Sequence, residues 1–187
     1  ISFSHTPPPH SNIKAYSKAM NKPIELVTVC VLDRPRHGDI IESIRSAGAR
    51  VRLIPDGDIA GVIHTTDKST GIDIYMGIGG APEGVLAAAA LKCTGGQMQA
   101  KLVLEDQEKK DRATKMGIED YNKIYKLNDL VSGDALFAAT GVTNGSMLTG
   151  IEHNNGLWTN TVVMRSSSGT VRWIKSHHTN KEKFNLG

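Results

Sequence analysis

Apolar and polar residues change their period several times along this chain. Residues 24–32, IELVTVCVL, form a nearly unbroken apolar, β-branched run, the pattern of a strand buried on both faces. The next stretch, DRPRHGDIIESIRSAGAR, switches to helical spacing. Ile40, Ile41, Ile44 and Ala47 share one helical face, Asp39 and Glu42 have capping-box spacing with Asp39 as the cap, and Gly48 is placed to end the helix. RVRLI then predicts a second strand, IAGVIHTTDKSTG a shorter helix with a loop, and IDIYMG a third strand. PEGVLAAAALKC predicts a third helix, with Pro82 at its first position and Gly95-Gly96 at its end.

The second half is less regular. MQAKLVL predicts a strand, EDQEKKDRATKMG a solvated helix, and NDLVSG a short capped helix. DALFAATGVTNG pairs a strand with a glycine-rich turn. TNTVVMRSSSGTVRWIKSHH predicts a β-hairpin around Ser168-Gly169. At the other end, ISFSHTPPPH has neither period and reads as an unstructured or extended lead-in, with SNIKAYSKAMNKP as a short helix ending before Pro23. The expected organisation is a lead-in over residues 1–21, disordered or foreign to the fold, and one domain over 22–187.

Alternation of strand and helix over residues 24–94 predicts an α/β fold, with parallel strands joined by right-handed crossovers. The antiparallel units that follow predict a mixed sheet. Loops at the carboxyl ends of parallel strands gather on one edge, where open α/β sheets bind ligands. Here those loops are DRPRH, PDGD and GIGGAPEG. They are expected to form one site.

Composition narrows the class. The 187 residues carry 22 basic and 19 acidic side chains, a net charge of +3. That balance is too mild and too evenly spread for nucleic-acid binding. No apolar run is long enough to span a membrane, and no signal peptide is visible. Cys30 and Cys93 sit in apolar contexts without metal-ligand spacing, as buried thiols of a reducing compartment do. The chain begins with Ile1 rather than Met and is read as a piece of a longer protein.

The loop chemistry points to phosphorylated ligands. In GIGGAPEG, glycines let backbone N–H groups approach a ligand, and the helix start behind them favours anions. Glu83 would repel a bare phosphate but suits a divalent cation placed between carboxylate and phosphate. The same pattern also serves an ordinary turn in which Glu83 complements the helix dipole. It is neither a Walker loop nor a dinucleotide fingerprint, because Pro82 occupies the position of the third glycine. Arg34 and Arg36 offer guanidinium forks stiffened by Pro35, or pair with neighbouring acids. His37 is expected to orient its loop or face solvent. Asp56 and Asp58 flank Gly57 and suit sugar hydroxyls, a metal or a helix cap.

TVCVLDRPRH, AGARVRLIPDGD, GIGGAPEGVLAAAALKCTGGQMQAKLV and FAATGVTNGSMLTGI together resemble the C-terminal half of class II fructose-1,6-bisphosphatases, a family that includes the bifunctional fructose/sedoheptulose bisphosphatases of cyanobacteria. The resemblance covers residues 22–178. It implies the alternating α/β layers of the lithium-sensitive sugar phosphatases, the inositol monophosphatase-like type. It implies hydrolysis of the 1-phosphate of fructose 1,6-bisphosphate with Mn²⁺ or Mg²⁺, in gluconeogenesis or the Calvin cycle. By the same resemblance Glu83 is a metal ligand, and Arg34, Pro35, Arg36, Asp56, Gly57, Asp58 and Gly80 are substrate contacts. The complete protein is implied to be a homo-oligomer of the cytoplasm, or of the plastid in a photosynthetic eukaryote. The family's Asp-Pro-x-Asp-Gly-Thr motif, which supplies most metal ligands, does not occur in this sequence. The chain is therefore expected to show little activity alone, and a non-catalytic sugar-phosphate-binding or assembly module is the alternative.

Overall fold

The computed structural model of the chain describes residues 2–4, 8–153 and 155–180. The elements run β1 (Ser2–Ser4), α1 (Pro9–Met20), β2 (Thr28–Leu32), α2 (Gly38–Ser46), β3 (Arg50–Ile54), α3 (Asp58–His64), β4 (Ile74–Tyr75), β5 (Gly79–Gly80) and α4 (Ala81–Thr94). They continue with β6 (Gln99–Val103), α5 (Gln107–Lys115), β7 (Ile124–Lys126), α6 (Leu127–Leu130), β8 (Leu136–Thr140), β9 (Leu157–Arg165) and β10 (Thr170–His178).

The first apolar run does become a strand, but only from Thr28. Its opening Ile24–Leu26 forms a 3₁₀ turn. β2 lies between β3 and β4, and all three are parallel. Period-2 alternation divides the faces of this sheet. Val29, Val31, Val51, Ile74 and Met76 point to a cluster completed by Ile13 of α1 and by Ile40 and Ile44 of α2. Cys30 and Tyr75, paired in register, belong to the opposite face. There Tyr75 packs on a cluster formed by Val62 of α3 with Ala87 and Leu91 of α4.

Helix α4 explains the alanine run. Ala87 and Leu91 meet α3, whereas Ala90 and Cys93 join Ala135, Phe137, Val162 and Met164 of the β8–β9 region. A helix covered on more than one side must be apolar on more than one face. Beyond it lies the antiparallel sheet β10-β9-β8, whose hairpin closes at the expected Ser168-Gly169, with Thr170 opposite Arg165.

This layering corrects the expected mixed sheet. Parallel and antiparallel strands segregate into three sheets, because α4 stands between the parallel strands and the hairpin. The third sheet, β5-β1-β6-β7, is antiparallel throughout. The α/β class holds.

The lead-in expected over residues 1–21 is also corrected. α1 starts at Pro9, a residue suited to a helix start, and Ile13 is fully buried. Tyr16 and Lys22 donate to the Asp73 carboxylate at 3.0 Å and 2.6 Å, and Thr28 N–H donates to it at 2.8 Å. Burial raises the Asp73 pKa, but these hydrogen bonds outweigh it and hold the carboxyl below the usual range. The backbone of β1 pairs with both β5 and β6. Residues 1 and 5–7 of the lead-in, and 181–187 of the domain, lie outside the described residues.

Smaller boundaries moved for local reasons. α2 begins at Gly38 because a 3₁₀ turn at Pro35–His37 runs straight into it, so Asp39 sits inside the first turn and His37 takes the cap position. At its other end Gly48 has φ +85°, and the N–H groups of Gly48 and Ala49 return to the carbonyls of Arg45 and Ile44, a Schellman close. Pro82 is the second residue of α4, after Ala81.

Candidate phosphate-ester site

The three loops that follow β2, β3 and β4 emerge on one edge, as parallel strands require. Two side chains of the first loop bind it to the third. His37 is 1% exposed. Its Nδ1 lies 2.7 Å from the Leu32 carbonyl, and its Nε2 accepts the Ile78 N–H at 2.9 Å. These contacts select the tautomer in which Nδ1 donates. Arg36 Nε donates to the Ile78 carbonyl at 2.9 Å. Both polar groups at Ile78 are thus held from DRPRH, which sets the position of Gly77, Gly79 and Gly80. His37 orients its loop, one of the two roles expected of it.

Glu83 is the third residue of α4. Its Oε2 accepts the Gly80 N–H at 2.9 Å, the carboxylate half of a capping box. That bond turns the carboxylate back over the glycines. An ideal Cβ placed on Gly79 would lie 3.4 Å from Glu83 Oε2 and 3.9 Å from Asp58 Oδ2. The two acids therefore flank the same glycine, although they come from different loops. Asp58 is the first residue of α3. Its Oδ1 accepts the Ile59 N–H at 2.9 Å, leaving Oδ2 toward Gly79. The cap of α3 is Gly57 itself, at φ +75°, a conformation that favours glycine. Neither aspartate of PDGD occupies the cap position.

Asp58, Tyr75, Gly77, Gly79, Gly80 and Glu83 line one end of a cleft of about 1140 Å³. The rest of its wall comes from other parts of the fold, including Tyr16 and Met20 of α1 and Leu91 of α4. Tyr75 stands among the loops. Burial raises its pKa most, Asp58, Cys30 and Glu83 raise it further, and Arg36 opposes them. The Cys30 thiol is buried and pushed up to about 11, with Arg52 acting against the burial effect. It is an inert core group.

Not every candidate joins the cluster. Arg34 is exposed and its guanidinium donates to the neighbouring Asp33 carbonyl at 2.8 Å. Pro35 starts the 3₁₀ turn, and Asp56 is exposed at the edge; none of the three lines the cleft, and neither do the exposed Arg36 and Gly57. Tyr75 was not singled out from the sequence. Its signal was available, because it is the strand residue whose alternation points it away from the Ile74 and Met76 face, one turn before the glycine loop.

Among the described residues no three His, Cys, Asp or Glu side chains gather to hold a metal ion. No described helix is long and apolar enough to cross a membrane.

Residues 3–178 match the model of the family described as bacterial fructose-1,6-bisphosphatase, glpX-encoded. The matched span thus starts well before residue 22, where the resemblance in the sequence set its boundary. A D-fructose 1,6-bisphosphatase class 2/sedoheptulose 1,7-bisphosphatase of Synechococcus sp. (strain JA-2-3B'a(2-13)) is 40% identical over 185 residues, covering 91% of this chain and 53% of that protein. The protein of the same name from Synechocystis sp. (strain ATCC 27184 / PCC 6803 / Kazusa) is 39% identical over 181 residues, covering 89% and 52%. The chain spans about half the length of the curated relatives it matches. With the glycine loop, its glutamate and the arginine loop on one sheet edge, and a match over nearly all its residues, the chain belongs to the glpX-encoded family of bacterial fructose-1,6-bisphosphatases.

Proposed function

We propose that the chain supplies the substrate-holding wall of a metal-dependent sugar bisphosphatase that hydrolyses the 1-phosphate of fructose 1,6-bisphosphate, and that sedoheptulose 1,7-bisphosphate is a second substrate. The observation that carries this reading is that each of the three loops brings a side chain to the glycine loop: Arg36 binds the Ile78 carbonyl, and Asp58 and Glu83 flank Gly79. In this reading Arg36 and Arg34 neutralise phosphoryl oxygens, the Asp56-Gly57-Asp58 turn contacts the sugar, and the Gly80 backbone closes on the ligand. The layered arrangement is of the inositol monophosphatase-like type, and the complete enzyme is a homo-oligomer.

The donor set fits Mn²⁺ or Mg²⁺ in part. Such ions take oxygen ligands and are commonly held by one or two carboxylates together with substrate phosphates. Glu83, with one oxygen committed to Gly80 and the other open, fits as one such ligand, and Asp58 Oδ2 lies across Gly79 from it. Among the described residues Glu83 supplies one ligand of a shell, not a cage, and Asp58 Oδ2 is kept for the sugar. A metal bound there would polarise the phosphoryl group and activate water. Glu83 would hold its side of such an ion, Arg36 and the glycine backbone would orient the ester, and the first-to-third loop junction keeps these groups in register.

Two measurements test the proposal on the 187-residue chain. Calorimetric binding of fructose 1,6-bisphosphate is expected to strengthen with Mn²⁺, and Glu83→Gln is expected to remove only the Mn²⁺-dependent part. Binding no tighter than that of sulfate, or strengthening that persists in Glu83→Gln, would overturn it. Phosphate release is expected to be slight, because the described acids supply too few metal ligands. Turnover near that of a full-length relative would overturn that expectation.

A further inference from the structure

We propose that Tyr75 is a specificity-determining residue, whose hydroxyl donates a hydrogen bond to a sugar hydroxyl of the ligand held between the three loops. This inference rests on the function proposed above. The first observation is placement. Tyr75 ends β4, lines the cleft, and its hydroxyl lies 3.5 Å from the Cβ position of Gly77, beside the His37 ring. Its ring is held from behind, since a Cβ on Gly61 of α3 would lie 3.1 Å from it. The ring is thus fixed in orientation, as a residue that reads a ligand must be.

The second observation is the hydroxyl's lack of an internal partner. Among the described residues no hydrogen bond reaches it; only burial and the charges of Asp58, Cys30, Arg36 and Glu83 act on it. A half-buried hydroxyl on a cleft-lining side chain, with no protein partner among the described residues, is available to a ligand.

The third observation selects the ligand group. Asp58 Oδ2 faces Gly79, two residues along the same loop from Gly77, whose Cβ position the Tyr75 hydroxyl adjoins. A phosphoryl oxygen placed between them would face a like charge. A sugar hydroxyl satisfies both neighbours, accepting from Tyr75 and donating to Asp58 Oδ2, which its own helix leaves open. A site that hydrogen-bonds a substrate hydroxyl also discriminates against ligands lacking it. Tyr75 would therefore separate a sugar phosphate from phosphate itself.

The test compares the chain with Tyr75→Phe by calorimetry, using fructose 1,6-bisphosphate and inorganic phosphate as separate probes, each with Mn²⁺. Phenylalanine keeps the ring contact with Gly61 and removes only the O–H, so the ligand-free variant is expected to unfold at the same urea concentration. Binding of the sugar bisphosphate is expected to weaken about five- to tenfold, the loss of one neutral hydrogen bond, while phosphate binding is unchanged. Equal weakening for both probes would assign the hydroxyl to phosphate and overturn the inference. Unchanged binding of both probes, or a less stable ligand-free variant, would overturn it as well and leave the proposed function standing. Failure of the unsubstituted chain to bind the sugar bisphosphate would overturn both.

Discussion

The junction between the first and third loops can be broken by one substitution, His37→Phe. The aromatic volume is nearly conserved, so the cost is polar. His37 is 1% exposed and satisfies the Leu32 carbonyl at 2.7 Å and the Ile78 N–H at 2.9 Å. Phenylalanine leaves both backbone groups without these partners. Each unsatisfied buried group costs about 1–3 kcal/mol, so the pair should cost roughly 2–6 kcal/mol, reduced to the extent that water reaches Ile78 from the cleft. His37→Asn places an amide near the Nδ1 position, can keep the Leu32 bond, and should lose about half as much. Urea unfolding at fixed pH reads both values. The same samples are titrated with fructose 1,6-bisphosphate, and affinity should fall with stability, because the Ile78 peptide carries the glycine loop. If His37→Phe unfolds at the wild-type urea concentration, the histidine is not bridging the loops. If stability falls but binding does not, the junction does not position the site.

Two further expectations concern the N-terminal helix. Asp73 has a folded-state pKa below its ordinary value, with the bonds from Lys22, Thr28 and Tyr16 outweighing its burial. Its contribution is therefore present above the unfolded pKa of about 4 and lost as pH falls through the folded value. Urea midpoints of wild type and Asp73→Asn should converge as pH falls below about 4, and parallel curves would remove the carboxylate from the account. The same network pushes Tyr16, chiefly by burial and then by its bond to Asp73, up to about 12, so its contribution is full below pH 10 and lost toward 12. Ile13→Ala, at a fully buried position, should cost about 2–5 kcal/mol in urea unfolding, whereas a dispensable lead-in would lose nothing measurable.

Much of this protein was legible in one dimension, where the information is local. β-branched runs, helical spacing at Ile40 and Ile44, the Gly48 stop, the Ser168-Gly169 turn and the proline-led start of the alanine helix each depend on neighbours a few residues away. Strand–helix alternation also put the arginine, aspartate and glycine loops on one edge, because crossover chirality leaves parallel strands no other arrangement. Partition into three sheets was not legible. It depends on which faces of α4 meet α3 and which meet β8 and β9, and an alanine stripe apolar on two sides does not say. Nor was the return of β1 to pair with β5 and β6, since a three-residue strand has no periodicity to read. The site divides in the same way. Residue types named Glu83 and the arginines, but only tertiary packing decided that Arg36 turns to the Ile78 carbonyl while Arg34 stays at Asp33, and that Asp58 rather than Asp56 faces Gly79. It also decided that Tyr75 stands among the loops, its hydroxyl without a hydrogen-bond partner among the described residues. A side chain's direction follows from the layer it packs against, and that layer is supplied by residues distant in the chain.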